Sequence, residues 1–259
     1  LPPIATPLLA NLFLINFDFK QNRIVSGSPA AVGQFPWQVV LKKDAIDDLL
    51  CGGSIISENW VLTAAHCTYD LDSIFMIFGT ISMDNEINNQ TSTEIFVHPE
   101  FNVDYLHNDV SLIQLSTPLV YSNIIQPIPL VPSTSSNFLD TIATVAGFGI
   151  SDDENLEFSE YLEFAFLQII DNSQCIQTFG PDVVLNSTMC AKGVDESNQS
   201  ICSGDSGGPL IEKDANGNWM QIGINSFVAQ DRCTEGFPSA FVRLTSFLNY
   251  IEQITGIGS

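Results

Sequence analysis

The fold class that the sequence predicts is an all-β body ending in a helix, and three observations predict it. Short apolar runs separated by turn-forming residues recur along the 259-residue chain. The pair Asn216-Gly217 stands between two of those runs, a strong local signal for a β-hairpin. The last stretch, Thr245 to Ile257, sets Phe247, Leu248, Ile251 and Ile254 at helical spacing. With 45% hydrophobic residues the chain has ample material for a large core, as one all-β domain or as two packed halves.

Along the chain, the first run is Trp37 to Leu41 and the second is Ile74 to Gly79. Both are rich in aromatic and β-branched side chains, which favour extended backbone. Val110 to Leu115 follows directly after Asp109, and Ile142 to Gly149 ends in Gly147-Phe148-Gly149. Leu210-Ile211 and Trp219-Met220 are the expected arms of the Asn216-Gly217 hairpin, and Met220 to Phe227 extends the second arm. The helical spacing then takes over to the end.

Eight Lys and Arg face thirty Asp and Glu, a formal charge of −22. Such a surface repels nucleic acid and acidic membranes, so neither is expected as a partner. The runs Asp47-Asp48, Asp152-Asp153-Glu154 and Asp195-Glu196 read as solvated loops. No apolar stretch is long enough to span a membrane. Leu8 to Phe17 is apolar, but Asn11 and Asn16 interrupt it and no basic region precedes it, so the chain reads as already freed of a signal peptide. Six cysteines suggest an oxidising compartment and leave fifteen pairings open. The sequons at Asn89, Asn186 and Asn198 also fit secretion. No Cys/His pattern has metal-ligand spacing and no phosphate-binding loop is visible, so no metal or cofactor is expected.

The string Cys202-Ser203-Gly204-Asp205-Ser206-Gly207-Gly208-Pro209 carries the chemistry. A serine becomes a strong nucleophile when a base takes its proton and donors hold the oxyanion it creates. The Gly204 and Ser206 backbone N–H groups can converge as those donors, and Gly207 and Gly208 let a substrate backbone come close. A plain glycine-rich turn is the bland alternative, and it weakens once a base is found. His66, in Leu62-Thr63-Ala64-Ala65-His66-Cys67, is the candidate base. Asp109, in His107-Asn108-Asp109-Val110, is the candidate carboxylate that would fix the imidazole tautomer. The two other histidines, His98 and His107, read as surface loop residues.

The chain order is His66, Asp109, Ser206, whereas subtilisin and α/β-hydrolases use other orders. Further motifs are Arg23-Ile24-Val25-Ser26-Gly27, Phe35-Pro36-Trp37-Gln38 and Cys51-Gly52-Gly53-Ser54. From residue 24 to its end the chain therefore resembles the trypsin/chymotrypsin-like serine endopeptidases. The resemblance implies two six-stranded antiparallel β-barrels with a C-terminal helix. Residues 24–127 would form mainly the first barrel, and 128–259 the second barrel and the helix. It implies disulfides Cys51–Cys67, Cys175–Cys190 and Cys202–Cys233, protein or peptide substrates, a secreted monomer and no cofactor.

It also implies that residues 1–23 are an activation propeptide. A trypsin-like protease would cut after Arg23, and the new Ile24 ammonium would insert and pair with Asp205, turning the Gly204 N–H into the oxyanion hole. The cut form would carry −23. By motif alignment Ser200 forms the base of the specificity pocket, where trypsin-like enzymes carry an aspartate. Val228 and Ser239 stand where glycines are usual, and Phe227 keeps an aromatic wall. These residues favour small or medium apolar side chains before the scissile bond. Asp231 or Glu235 reaching the pocket would instead admit basic ones. The competing readings are a regulatory protease of a cascade and a catalytically inactive protease-like binding protein, which would usually have lost a triad residue.

Overall fold

Runs of β-branched and aromatic residues pair wherever a turn lets the chain reverse, and here they build two sheets that curl on themselves. The computed structural model describes residues 24–25, 27–135, 137–150, 157–229 and 232–258. The expected activation segment 1–23, with Arg23, lies outside the described residues, as do Ser26 and Asp231.

Strand β1 (Ser28–Pro29) comes first in the chain and pairs late. The first barrel is made by β2 (Gln38–Lys42), β3 (Cys51–Ser57), β4 (Trp60–Thr63), β5 (Ile74–Phe78), β6 (Asn89–Ser92), β7 (Ile95–Val97) and β8 (Ser111–Gln114). Their order is β6-β5-β2-β3-β4-β8-β7, all antiparallel. β6 and β7 are two halves of one bent stave: β6 pairs with β5 and β7 with β8. The Ser92 hydroxyl stitches the bend, donating to the Gln114 carbonyl at 2.6 Å and accepting the Glu94 N–H at 3.0 Å. Seven labelled strands are thus six staves of a nearly closed barrel.

The second barrel contains β9 (Ile142–Gly147), β10 (Glu163–Ile170), β11 (Thr188–Gly193), β12 (Pro209–Lys213), β13 (Trp219–Phe227) and β14 (Ser239–Arg243). Their order is β10-β11-β14-β13-β12-β9, and β9 pairs back to β10 to close the ring. β1 adds to the outside of β10 through Ser28 and Pro29. The expected hairpin forms between β12 and β13. Its loop is wider than the Asn-Gly pair alone, because the Asp214 carboxylate gathers the N–H groups of Asn216 and Asn218, both at 2.8 Å.

Two helices complete the fold. α1 (Asn172–Phe179) was not expected from the hydrophobic pattern. It starts where the Asp171 carboxylate accepts the Ser173 N–H and stops at Gly180, whose φ of 88° a larger residue would resist. α2 (Leu248–Thr255) is the expected terminal helix, preceded by a single 3-10 turn and ended by Gly256 in the left-handed region. α2 follows the second barrel in sequence yet clamps the first. The Tyr250 hydroxyl donates to the Phe96 carbonyl at 3.0 Å, and the His98 ring lies against Tyr250 and Phe247. Burial pushes the Tyr250 phenol up to about 12.

The barrels meet along a seam that is apolar at its flanks and polar at its centre. Trp37 and Trp219 contact edge to face with centroids 6.3 Å apart. Ser54 Oγ donates to Gln221 Oε1 at 2.7 Å, and Gln221 Nε2 donates on to the Gly223 carbonyl at 3.0 Å. Both residues are fully buried, so each bond replaces one lost to water. Among the described residues no helix is long and apolar enough to cross a membrane.

Candidate active site

The site lies on this seam. His66 sits in a 3-10 turn just after β4, and the Cys51–Cys67 disulfide ties that turn to the start of β3. Asp109 precedes β8, the neighbour of β4, so pairing of the two strands brings together residues far apart in sequence. Asp109 is fully buried, while the His66 side chain keeps 21% of its surface exposed. His66 Nδ1 lies 2.8 Å from Asp109 Oδ2, and the His66 N–H donates to Asp109 Oδ1 at 2.8 Å. A carboxylate so placed fixes the tautomer with hydrogen on Nδ1 and leaves Nε2 as the base.

The serine loop comes from the second barrel. Gly52 N–H donates to the Ser206 carbonyl at 2.7 Å, across the seam from β3. A Cβ on Gly207 would overlap Thr63 Oγ1, so only glycine allows the loop to lie this close to the residues leading into His66. Strand β13 supports the loop from beneath. Gly207 N–H donates to the Asn225 carbonyl at 2.8 Å, Asn225 N–H to the Gly208 carbonyl at 2.9 Å, and Asn225 Nδ2 to the Asp205 carbonyl at 2.8 Å. Among the described residues neither the Gly204 nor the Ser206 N–H meets an acceptor, and Gly204 has a φ of 93°. No hydrogen bond joins Ser206 Oγ to His66 Nε2 in this free form; such contacts often tighten only when substrate binds.

Ser226 is a site residue whose main role the sequence did not reveal. It directly precedes Phe227, the expected aromatic wall of the pocket, but its hydroxyl donates to Asp109 Oδ2 at 2.6 Å. Asp109 thus accepts three hydrogen bonds: two from His66 and one from the opposite barrel. Only the register of β13 against the Asp109 turn could have announced that contact.

Asp205 is buried as well. Its Oδ1 accepts Gly149 N–H at 2.8 Å and its Oδ2 accepts Cys202 N–H at 3.0 Å. Burial nonetheless pushes its carboxyl from an ordinary 3.8 up to about 7, the two backbone donors offsetting only part of the desolvation. Among the described residues no cation lies against it. A Cβ on Gly147 or Gly149 would overlap this carboxylate, which gives a reason for Gly147-Phe148-Gly149. Ile24 is fully buried, and Val25 bridges to Ser200 and packs with Ile150, the neighbour of one of Asp205's donors, and with Cys202, the other donor.

The expected pocket residues also meet. Ser200 Oγ donates to the Ile201 carbonyl at 2.8 Å and lies 2.9 Å from Ser239 Oγ. Ser200 has one hydroxyl hydrogen, so Ser239 donates to it. Both are buried and carry no charge. Val228 packs on the cluster of Val25, Ile150, Cys202 and Cys233, beside the Cys202–Cys233 disulfide. Cys175–Cys190 ties α1 to β11. Glu235 is held by Arg232, whose guanidinium lies over Phe237. Ligand atoms of Cys51, His66 and Cys67 lie within 4.8 Å of one another, but both sulfurs are spent in a disulfide and are not thiolate ligands.

The Trypsin family model matches residues 24–251. A collagenase of Hypoderma lineatum is 36% identical over 245 residues, covering 93% of this chain and 90% of that protein. Brachyurin of Leptuca pugilator is 34% identical over 238 residues, covering 90% of this chain and 99% of that protein. The solved structure of HL collagenase superposes with a TM-score of 0.79 at 35% identity, covering 91% of this chain and all of the other.

Proposed function

The chain belongs to the trypsin family of serine endopeptidases, and from that premise we propose a secreted zymogen that is cut after Arg23 and then cleaves peptide bonds following apolar side chains. His66, Asp109 and Ser206 carry the chemistry. The observation that supports this most is the doubly bonded His66–Asp109 pair facing a serine loop tied across the seam to Gly52.

Ser206 Oγ attacks the scissile carbonyl carbon while His66 Nε2 takes its proton. The carbonyl oxygen becomes an oxyanion held by the Gly204 and Ser206 N–H groups. Asp109 stays ionised and stabilises the imidazolium. His66 then hands its proton to the leaving amine, the C–N bond breaks and an acyl-enzyme remains. Water, deprotonated by His66, attacks the ester, and the departing Ser206 oxygen recovers the proton.

Activation works through Asp205. Cleavage after Arg23 frees the Ile24 amine, and its ammonium supplies the cation that the buried Asp205 carboxylate lacks. The resulting pair steadies the Gly204 turn. The scarcity of Lys and Arg leaves few other bonds open to a trypsin-like activator. In the pocket, the neutral Ser200–Ser239 pair offers no counter-charge to Lys or Arg, and Val228 narrows the entrance. Glu235 is already paired with Arg232, which disfavours its use in holding a basic substrate side chain.

The test is activation by trace trypsin, inhibition of the trypsin, and hydrolysis of peptides that differ only before the scissile bond. Expected is activity that appears on cleavage and prefers Ala, Val and Leu over Phe, Tyr, Arg and Asp. The Ser206→Ala variant should lose about 10⁵- to 10⁶-fold in kcat. Preference for Arg would overturn the pocket assignment. Absence of hydrolysis with Ile24 free would favour a protease-like binding protein. One relative bears the name collagenase, so collagen belongs among the protein substrates tried.

A further inference from the structure

Residues 100–108, just before Asp109, form a loop that holds itself together. Asn102 Oδ1 accepts the N–H groups of Asp104 and Tyr105 at 3.0 and 3.1 Å. Asn102 N–H donates to the His107 carbonyl at 3.0 Å, and Asn108 Nδ2 donates to the Glu100 carbonyl at 2.8 Å. Leu106 and Asn108 flank His107 at φ of 53° and 54°, a region that L side chains rarely adopt. What this strained loop presents is the His107 ring.

Tyr105 stacks on that ring at 5.5 Å, and His107 Nε2 lies 2.8 Å from the Asp182 carbonyl. A carbonyl can only accept, so Nε2 carries a hydrogen, and the bond survives whether or not Nδ1 is protonated. Asp182 belongs to the other side of the seam. It follows α1 by three residues, beyond Gly180. The last residue of α1, Phe179, meets Phe227 edge to face with centroids 5.1 Å apart. Phe227 directly follows Ser226, the residue bonded to Asp109.

We propose that His107 is a positioning residue for extended substrates. Its bond to the Asp182 carbonyl joins the loop before Asp109 to the loop after α1. That tie keeps Phe179 against Phe227 and fixes the width of the groove that receives the residues upstream of the scissile bond. The proposal rests on the endopeptidase reading above, together with the premise, taken from the family resemblance, that the substrate backbone runs beside the aromatic wall Phe227. It gives His107 a part in binding long substrates and none in the proton transfers.

The experiment compares the trypsin-activated full chain with its His107→Ala and His107→Gln variants. Two p-nitroanilides are used, acetyl-leucine and a tetrapeptide ending in leucine. In the alanine variant the tetrapeptide KM should rise about five- to tenfold, the size of one net hydrogen bond, with kcat within about twofold. Turnover of acetyl-leucine p-nitroanilide should stay within about twofold, which also controls for folding. The glutamine variant, whose amide N–H can meet the same carbonyl, should recover most of the loss. Equal losses on both substrates, or an unchanged tetrapeptide KM, would overturn the proposal. Failure of the underlying reading has a different signature: the activated wild-type chain would hydrolyse neither substrate and take no fluorophosphonate label on Ser206, and the His107 assignment would fall with it.

Discussion

Asp109 and Asp205 are both buried carboxylates within the same seam, and they are served differently. Asp109 accepts two hydrogen bonds from His66 and one from Ser226, so a side chain that can carry positive charge stands against it. Among the described residues Asp205 accepts only two backbone N–H groups, and burial pushes it up to about 7. The difference separates two jobs. The surroundings of Asp109 already hold its partner and, in the mechanism proposed above, orient a base. Among the described residues Asp205 has no cation against it, and in the activation proposed above it responds to the arrival of one. On the proposed reading, a buried carboxylate in this molecule is a fixed support or a sensor according to whether its counter-charge is already present.

The comparison breaks most sharply at Asp205. In Asp205→Asn, cleavage after Arg23 should proceed normally, but the activated enzyme should lose about 10²- to 10³-fold in kcat, the size of a missing oxyanion donor. Steady-state rates on a leucine peptide check this, and full activity would remove Asp205 from activation. The uncut chain offers a second reading of the same group. Its folded pKa lies above the unfolded value, so between about pH 4 and 7 the folded chain holds a proton that the unfolded chain has released. Folding stability should therefore fall as pH rises through that window, by a few kcal/mol at most, and Asp205→Asn should flatten the slope. Denaturant melts at several pH values measure it. In the cut enzyme proposed above the direction is the same, but the group that titrates is different. The Ile24 ammonium, near 8 when free, is raised by its partner, so its contribution is full below that value and lost as pH climbs through the raised one. Reversible alkaline inactivation is expected, and acetylation of Ile24 should mimic it.

At Asp109 the expected effects are smaller. Ser226→Ala removes one of three donors and leaves the His66 bonds in place, so a loss of about tenfold in kcat is expected with little change in KM. A loss as large as that of Ser206→Ala would show that Ser226 acts in the chemistry itself. The smallest effect belongs to the pocket. Val228→Gly should shift preference from Leu toward Phe by about tenfold, since size differences in a pocket are worth ~1–3 kcal/mol. An unchanged ratio would mean that Val228 does not line the entrance.

The sequence carried some of these features and concealed others for physical reasons. Ser206 and His66 were legible because their chemistry needs local strings: glycines that let a loop approach, and small residues around an imidazole. Asp109 was one acidic residue among thirty, and only the order of motifs picked it out. α1 was hidden because its eight residues are mostly polar and only Cys175 is buried, although Asp171 and Gly180 mark its ends. The bonds from Ser226 to Asp109 and from His107 to Asp182 span 117 and 75 positions. No periodicity encodes such contacts, because they arise only when the two barrels dock. His107 reads from sequence as a surface loop residue, and half of that holds: it is on the surface, but bonded across the seam.

The bent stave of the first barrel has a consequence for life at high concentration. Because β6 serves one neighbour and β7 the other, the two residues 93–94 nearly close the ring, and the second barrel closes by pairing β9 with β10. Rings leave few open rows of backbone donors and acceptors on which another molecule could add a strand. A chain that is 45% hydrophobic thus offers few edges along which sheets could grow from copy to copy.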